Sequence, residues 1–513
     1  MMARAHRPVT ARSMAKRIDA APVAVRALIR WRLSTLLEVF EKPGDGTTAE
    51  QLERVGDIIG QGDRAAMWLA LAVIAGALPT EPEVLRACRR ADLDGPFSAL
   101  GDAIDSVTST ADNVDVIQVE IVTDRVVVDV AQPPTSEAAS LGGGPIEAER
   151  AEGHAVAALT EQWLGRDDTV ALHWSRSDRA WHRAPGAGAA AEGEVEAPIV
   201  VPWRCTVILP APLRDATKGE RLLALARFSQ NRTGAVVYDA FPADPFIAKA
   251  DPSAATFANA LAALSHFDRV AAISHALAVE LGGWRRMLSG AGIEGPDIAA
   301  VPLPILRRPP AGRASIAHHT FDDAERSGIG GDAAMVLVVG STGSQDNFGA
   351  VLAAAEHVWR SGVAFRLVLV GAPESGPVAQ ALERAVSLQR DVRRLDTLSE
   401  GGLGAAYDAA RCSVFVSLHE PYAWPVADSI VSGTPVITSH FASMRELGEP
   451  GGAVLVDPRD DGQIADALRR LLTDDAWHDD LARQAHDRAI GSFEDYANAA
   501  FSYLVEGAQP PSL

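Results

Sequence analysis

The chain has 513 residues, of which 47% are hydrophobic and 22% charged, and its formal net charge is -20. At roughly 100–200 residues per domain this length predicts two to four domains, and the composition is that of a globular protein and not of a disordered one. Such an acidic chain lacks the positive field that gathers nucleic acid, so nucleic acid is not an expected partner.

The first 37 residues are basic, with Asp19 as the single acid. A basic, partly amphipathic leader can contact an anionic membrane surface, although a solvated tail explains the same charges. The leader lacks the apolar stretch and cleavage site of a secretory signal. The basic residues are Arg4, Arg7, Arg12, Lys16, Arg17, Arg26, Arg30 and Arg32.

Cysteine usage points to a reducing compartment. Cys88, Cys205 and Cys412 are far apart and odd in number, which predicts neither a disulfide framework nor a metal cluster. We therefore expect a cytoplasmic protein that needs no metal, with possible peripheral membrane contact through the basic leader.

Residues 12–105 have the pattern of helices, with apolar side chains at three- and four-residue spacing and Gly or Pro between segments. The longest apolar run, Met67–Leu78, has twelve residues and is too short to cross a bilayer, so we expect a buried helix there. Residues 1–112 are predicted to form a helical N-terminal domain that includes the basic leader.

A first α/β domain is predicted for residues 113–312. From Asp115 the chain becomes rich in β-branched residues, and apolar strands then alternate with helical patterns such as Glu147–Trp163. This alternation predicts a parallel sheet with helices on both faces. After VDVIQVEIVTDRVVVDVAQ, the predicted strands are Val170–His173, Ile199–Leu209, Ala235–Tyr238, Val270–Ile273 and Ile298–Val301.

A second α/β domain is predicted for residues 330–490, followed by a C-terminal helix and tail at 491–513. In doubly wound sheets, ligands bind at the carboxyl ends of the strands, so we expect the site in a cleft between the two α/β domains. The predicted elements are Met335–Gly340, Phe348–Arg360, Phe365–Gly371, Val378–Leu388, Cys412–Leu418, a helix from Val426, and the strands PVITS and AVLVDP.

The segment HEPYAWPVADSIVSGTPVITS, from His419 to Ser439, has the chemistry of a nucleotide-sugar site. Its turn Glu420–Trp424 precedes a helix that restarts near Pro425, and the free amides and dipole of a helix N-terminus attract an anion such as a diphosphate. Asp428 is predicted to lie in the first turn of that helix. Its carboxylate and that of Glu420 could accept hydrogen bonds from sugar hydroxyls.

With SMREL and VLVDPRDDGQIADALRRLL, this segment resembles the retaining glycosyltransferases of family 4, whose C-terminal half is the glycosyl transferase group 1 domain. The resemblance is clear over residues 335–506 and weaker in the first α/β domain, where RVVVDVAQ, AVVYDAFP and FDRVAAISHALAVEL are similar to family segments. It implies the GT-B fold, in which two tandem Rossmann-like doubly wound domains face a cleft.

The resemblance also implies an activity, namely metal-independent transfer of a sugar, with retention, from a nucleotide-sugar donor to a glycan, lipid-linked or protein acceptor, as in polysaccharide biosynthesis. No cofactor is implied, because the nucleotide-sugar is a substrate. Glu420 is implied to contact the transferred sugar and Asp428 the ribose hydroxyls. Tyr238 and Asp239 are implied to lie near the catalytic centre or the acceptor. The other implied donor-binding residues are Ser443, Glu446, Gly340, Asn347, Tyr422 and Trp424.

The chain departs from the family where the diphosphate is expected. Gln345 and Asp346 replace an Arg and a Lys, and Pro421 and Ala423 replace turn glycines. Charge-assisted contacts to phosphate contribute about 1.5–3 kcal/mol each, so another base must substitute, and Arg445 is the predicted donor-binding substitute. The alternative is a catalytically degenerate, glycosyltransferase-like binding or scaffold protein that docks through its helical domain.

Overall fold

A computed structural model describes residues 9–109, 117–130, 146–175, 177, 179–184, 197–239, 252–305, 333–340 and 344–510. These residues form a helical N-terminal region followed by two Rossmann-like domains, each built on its own sheet. The predicted fold class is therefore confirmed. The start of the basic leader and the linker that follows Ile305 lie outside the described residues.

The helical region packs around α4, whose residues from Ala66 to Ile74 are all buried. The side chain of Asp63 caps this helix at its start, and Gly76 ends it in the left-handed conformation at φ 66°, which glycine adopts without steric cost. No helix among the described residues has the length and apolar character needed to cross a bilayer. The helices are α1 (Ala11–Asp19), α2 (Val23–Val39), α3 (Thr48–Ile59), α4 (Arg64–Ala75), α5 (Glu81–Asp94), α6 (Pro96–Ala99) and α7 (Gly101–Ser109).

The first Rossmann-like domain is built on a sheet whose described strands run in the order β1-β5-β4-β3-β2-β6-β7-β8-β9. Every pairing is parallel except those of β4, which is antiparallel to both neighbours. The strands are β1 (Val119–Thr123), β2 (Val126–Asp129), β3 (Thr169–Trp174), β4 (Trp181–Arg183), β5 (Ile199–Trp203), β6 (Thr206–Leu209), β7 (Arg232–Val237), β8 (Arg269–Ala272) and β9 (Asp297–Ala300). The helices are α8 (Ile146–Leu164), α9 (Ala216–Phe228), α10 (Pro252–Leu264) and α11 (His275–Gly290).

Two of the strand predictions for this domain were wrong in detail. The predicted strand Ile199–Leu209 is two strands, because Arg204 between them has φ 56°, and the β-branched run after Asp115 also divides, at Asp124 with φ 54°. Both breaks are at polar residues in the left-handed region, which ends extended structure. As a result, each apolar run contributes one strand to the outer pair β1-β5 on one side of the sheet and one to the central pair β2-β6.

The second Rossmann-like domain has a fully parallel sheet in the order β12-β11-β10-β13-β14-β15. Strand order reverses between β10 and β13, which is the switch point of a doubly wound sheet. The strands are β10 (Met335–Val339), β11 (Arg366–Val370), β12 (Val392–Leu395), β13 (Cys412–Phe415), β14 (Val436–Ser439) and β15 (Ala453–Val456). The helices are α12 (Phe348–Arg360), α13 (Gly376–Ser387), α14 (Glu400–Ala409), α15 (Trp424–Val431), α16 (Ala442–Gly448), α17 (Asp461–Thr473) and α18 (Asp475–His486).

The C-terminal segment packs against the first Rossmann-like domain. It consists of α19 (Phe493–Phe501) and a π-helical turn, Ser502–Glu506. The indole of Trp163 on α8 donates to the carbonyl of Ala497 at 2.9 Å, and Leu504 is buried against the glycine at position 234 of β7, where an added Cβ would lie 3.1 Å from the leucine. The chain thus returns to its first α/β domain after completing the second.

A buried arginine joins the helical region to the first Rossmann-like domain. Arg32 on α2 donates from Nη1 to the carbonyl of Ile74 at 2.8 Å and from Nη2 to that of Ile117 at 3.0 Å. Burial lowers the pKa of this guanidinium to about 10, so it stays charged at neutral pH. A Cβ on Gly76 would lie 2.5 Å from Arg32 Nη2, so the glycine also leaves room for the arginine.

Replacing Arg32 by methionine should lower the free energy of unfolding by about 2–4 kcal/mol, because two carbonyls lose their donors inside the protein. Urea denaturation at pH 7 measures the change. Arg30→Met on the same helix is the matched control, since Arg30 donates to the Gly46 carbonyl at an exposed position and its loss should change stability by less than about 0.5 kcal/mol. Equal losses in the two variants would contradict the role given to Arg32.

Candidate functional site

The candidate site lies at the carboxyl ends of β10 and β13, where the strand order of the second sheet reverses. Gly340 and the 3₁₀ turn Ser344–Asp346 follow β10, and the segment 416–423 follows β13. The two connections are in contact, because the Leu418 amide donates to the carbonyl of Gln345 at 2.8 Å. Doubly wound sheets bind ligands at such a switch point.

Buried serines fix the turn that carries Glu420. Ser417 Oγ lies 3.0 Å from the Gln345 carbonyl and 3.1 Å from Glu420 Oε1. Ser443 Oγ donates to the backbone carbonyl of Glu420 at 2.7 Å, and Ser439 Oγ donates to that of Ser417 at the same distance. The predicted donor residue Ser443 therefore positions the turn through a backbone contact.

The connection after β10 is close-packed. A Cβ on Gly340 would lie 2.9 Å from the Phe348 ring and 3.1 Å from the Asp346 carboxyl carbon, so glycine lets the buried Asp346 approach the strand end. Asn347 begins α12 at φ 57°, and its amide donates to the carbonyls of Val416 and Pro458 at 3.1 and 2.8 Å. Gly340 and Asn347, which were both predicted to bind the nucleotide-sugar donor, therefore determine the backbone conformation at the switch point.

Carboxyl groups from both domains converge at Glu420. Withdrawal from water raises the pKa of Glu420 well above its ordinary value, and the nearby carboxylates of Asp346 and Asp239 raise it further, while the hydrogen bond from Ser417 opposes them. Asp346 comes from the second domain and Asp239 from the end of β7 in the first. The cleft at this point therefore favours a protonated, hydrogen-bond-donating carboxyl at Glu420.

His419 faces the first domain. Its Nε2 lies 3.1 Å from Glu280 Oε1 on α11, and this hydrogen bond raises the pKa of the imidazole, with added contributions from the charges of Glu280 and Asp239. His419 thus links the turn after β13 to Glu280 of the first domain.

The turn after β13 is bonded directly to the first domain. Ser274 Oγ donates to the Pro421 carbonyl at 2.7 Å, and the Tyr422 hydroxyl donates to the Pro304 carbonyl at 3.2 Å. The carboxylate of Glu446 accepts hydrogen bonds from the first amides of α11, those of His275, at 3.0 Å, and Ala276. The predicted donor residues Tyr422 and Glu446 therefore have interdomain partners.

The remaining residues of the predicted site lie around this turn. Helix α15 begins at Trp424, so Asp428 lies in its second turn and not, as the sequence predicted, in its first. The rings of Tyr422 and Trp424 are 4.6 Å apart. Burial first, and the charge of Asp428 second, raise the pKa of the Tyr422 hydroxyl, so Asp428 lies close to this aromatic pair.

Arg445 and Tyr238 have other partners than a ligand. Arg445 is exposed and forms an ion pair with Glu449 at 2.9 Å, one helical turn along the chain. Tyr238 is buried, its hydroxyl donates to the Pro210 carbonyl at 3.1 Å, and burial raises its pKa well above the ordinary value. To bind a ligand as predicted, Arg445 would have to break its ion pair with Glu449. Tyr238 would have to contribute from its buried position at the end of β7.

One feature of the site could not be read from the sequence motifs. The helices that follow the four central strands of the second sheet, α12, α13, α15 and α16, begin at N-cap residues whose side chains make no cap hydrogen bond. The helices that follow the edge strands, α14 and α17, are capped by Ser399 and Asp460. The centre of this sheet edge therefore presents helix N-termini without side-chain acceptors, which suits an anion.

Backbone strain is found at the same edge. Ala442, the first residue of α16, has φ 51°, a conformation that costs an alanine energy and concentrates at ligand sites. A glycine at position 442 would have indicated a left-handed conformation in the sequence, whereas an alanine does not.

Comparison with known proteins finds partial matches. Residues 333–474 match the family model described as Glycosyl transferases group 1. The chain is 29% identical over 180 residues to a D-inositol 3-phosphate glycosyltransferase from Nocardioides sp., covering 32% of this chain and 39% of that protein. It is 30% identical over 110 residues to an MMP alpha-(1->4)-mannosyltransferase from Mycolicibacterium hassiacum, covering 21% of this chain and 27% of that protein. Both matches span well under half of the relative.

Among solved structures, alpha,alpha-trehalose 6-phosphate synthase from Burkholderia multivorans superposes with a TM-score of 0.47 at 14% identity, over 75% of this chain and 100% of that one. Sucrose-phosphate synthase from Thermosynechococcus elongatus gives a TM-score of 0.43 at 16% identity, over 74% of this chain and 96% of that one. The family match is thus to the second Rossmann-like domain, which carries the switch point and Glu420.

Replacing Glu420 by glutamine should stabilise the protein at pH 8, with an advantage that shrinks as the pH falls and disappears below about pH 4.3, the ordinary glutamate value. The folded-state pKa is raised, so the wild type loses stability as the pH rises from the unfolded to the folded pKa. Urea denaturation between pH 4 and pH 8 measures the difference.

Glu449→Gln is the control for this pH series, because the pKa of Glu449 is lowered by its exposed pair with Arg445 and the sign of the effect reverses. A Glu420→Gln variant whose stability differs from the wild type by a constant amount at every pH would show that Glu420 ionises normally in the folded protein.

Proposed function

We propose that the chain is a cytoplasmic glycosyltransferase that moves a sugar, with retention, from a nucleotide-sugar to a glycan, lipid-linked or protein acceptor. The match of residues 333–474 to group 1 glycosyl transferases supports the reaction class. The observation that carries the proposal is the pair of helix N-termini, those of α12 and α16, whose N-cap side chains make no cap hydrogen bond at the centre of the second sheet. They offer a diphosphate the amides and dipoles that stabilise it as it departs.

In this proposal the diphosphate is held at the starts of α12 and α16, with no metal and no cofactor. Helix α15 contributes its dipole alone, because its Trp424 and Val426 amides donate to the Tyr422 and Ala423 carbonyls and Pro425 has no N–H to donate. Retaining transfer places the main demand on orientation of the donor and stabilisation of the leaving group. Backbone amides would then replace the Arg and Lys whose places are taken by Gln345 and Asp346, and Arg445 would add a cation only after exchanging its partner Glu449.

The carboxyl cluster suits the sugar part of the donor. A protonated Glu420 can both donate to and accept from a hydroxyl, and Asp239 offers an acceptor from the first domain. Asp428, on the second turn of α15, would bind the ribose. Tyr238 would serve by holding the end of β7, and with it Asp239, through its bond to Pro210.

A second candidate, a non-catalytic binding or scaffold protein, is favoured by one observation. Two carboxylates, Asp346 and Asp239, act on Glu420, and a diphosphate near them meets repulsion. In that case the direct bonds between the domains, through Ser274 and Glu446, would serve to keep the cleft shut.

Thermal shift against a panel of nucleoside diphosphates and their sugars should identify a donor, because a ligand at a hundredfold over its Kd adds about 2.7 kcal/mol of stability. Mass spectrometry should then detect donor hydrolysis by the wild type and at least tenfold less by Glu420→Gln. No shift with any nucleotide would favour the scaffold, and equal hydrolysis by the variant would remove Glu420 from the reaction.

Replacing Asp346 by asparagine should tighten donor binding by about tenfold, or about 1.4 kcal/mol, because a carboxylate beside the diphosphate is neutralised while the side-chain shape is kept. Titration calorimetry with the donor found in the panel measures the gain. Asp391→Asn is a control outside the cleft, because Asp391 pairs with Arg366, the first residue of β11. Unchanged or weaker binding by Asp346→Asn would place the diphosphate elsewhere.

A further inference from the structure

A second concave site lies far from the cleft, where the helical region meets the first Rossmann-like domain. It is a partly open groove with a cavity volume of about 120 Å³. Its floor is apolar and consists mainly of alanines and leucines from α4, α5 and α7, among them Leu71, Ala87 and Ala103. An apolar body can therefore be buried in it.

The rim of the groove is positively charged in a chain of net charge -20. Four arginines line it, Arg86, Arg90, Arg179 and Arg221, together with two acids, Glu83 and Asp102, which leaves a local charge of four minus two, or +2. Arg90 is paired with Asp102 at 2.6 Å. Within the part of the chain that the structure describes, Arg86 and Arg179 form no ion pair with a carboxylate.

Arg221 adds a buried donor. The residue is 6% exposed, its Nη1 donates to the Leu78 carbonyl, and its Nε is buried without a hydrogen-bond partner among the described atoms. The Leu78 amide donates in turn to the carbonyl of Arg179 at 2.9 Å. The connection between α4 and α5 is thereby fixed on both sides, and the buried Nε of Arg221, a residue that lines the groove, is left without a partner at a real energetic cost.

We propose that this groove binds a single-chain lipid phosphate, that is, a phosphate monoester on an apolar chain. The charge of +2 complements a dianionic phosphate, the planar arginine fork matches phosphate oxygens, and the alanine-rich floor accepts the chain. A carboxylate amphiphile carries half the charge and leaves the rim partly uncompensated. The site is separate from the cleft and does not depend on the proposed transferase reaction.

Titration calorimetry of the full chain with octyl phosphate, below the concentration at which it forms micelles, tests the proposal. We expect one molecule bound per chain, and an affinity at least tenfold higher than for octanoate, 1-octanol or inorganic phosphate. The double variant R86Q/R179Q should weaken octyl phosphate binding by about tenfold or more, since it removes two charge-assisted contacts. Both side chains are exposed, so the variant should unfold at the wild-type temperature.

Arg89→Gln is the matched control, because Arg89 is an exposed arginine of α5 that does not line the groove. It should bind octyl phosphate as the wild type does. The proposal is overturned if octyl phosphate fails to bind, if R86Q/R179Q binds it as tightly as the wild type, or if Arg89→Gln weakens it equally. Octanoate binding more tightly than octyl phosphate would also overturn it, because the phosphate would not be needed. Inorganic phosphate binding as tightly as octyl phosphate would overturn it as well, because the apolar chain would not be needed.

Discussion

A carboxylate of the second Rossmann-like domain caps a helix of the first, and this contact is central to how the two domains face each other. Glu446 lies on α16 of the second domain and accepts the first amides of α11 in the first, so it acts as an N-cap supplied from another domain. Charge at a helix N-terminus contributes about 0.3–2 kcal/mol, and Ser274 reinforces it through the Pro421 carbonyl. These bonds place the end of β7, with Asp239, opposite the turn that carries Glu420.

Two electrostatic tendencies meet at the cleft. The helix N-termini of the second domain favour negative charge, whereas the carboxyl groups of Asp239, Asp346 and Glu420 disfavour it. The raised pKa of Glu420 reflects this conflict, because burial and the charges of Asp346 and Asp239 all disfavour its ionised form. A ligand would suit both the helix N-termini and the carboxyl groups if its anionic group reached the amides and its hydroxyls reached the carboxyls. A nucleotide-sugar carries an anionic diphosphate and sugar hydroxyls in separate parts of the molecule.

The sequence alone was sufficient to predict the secondary-structure elements that have a strong local pattern. The helix predicted at Phe348–Arg360 is confirmed to the residue, because its apolar period and its left-handed N-cap at Asn347 are both local. The interdomain role of Glu446 could not be predicted, since its partners His275 and Ala276 are distant in the sequence. The antiparallel strand β4 was missed because it has only three residues, too few to show an alternating pattern. The position of Asp428 in its helix was missed by one turn because the helix starts at Trp424, before the proline expected to begin it. The ligand roles of the site residues stay predictions.

The return of α19 to the first domain affects how the chain can fold. Trp163 and the glycine of β7 at position 234 contact Ala497 and Leu504, residues that are synthesised after the whole second domain. During translation the first α/β domain therefore emerges with part of its surface uncovered, while the second, whose strands are contiguous between 335 and 456, can close its sheet unaided. The domain that is synthesised earlier is thus completed later, and its apolar surface stays exposed to aggregation until α19 is synthesised.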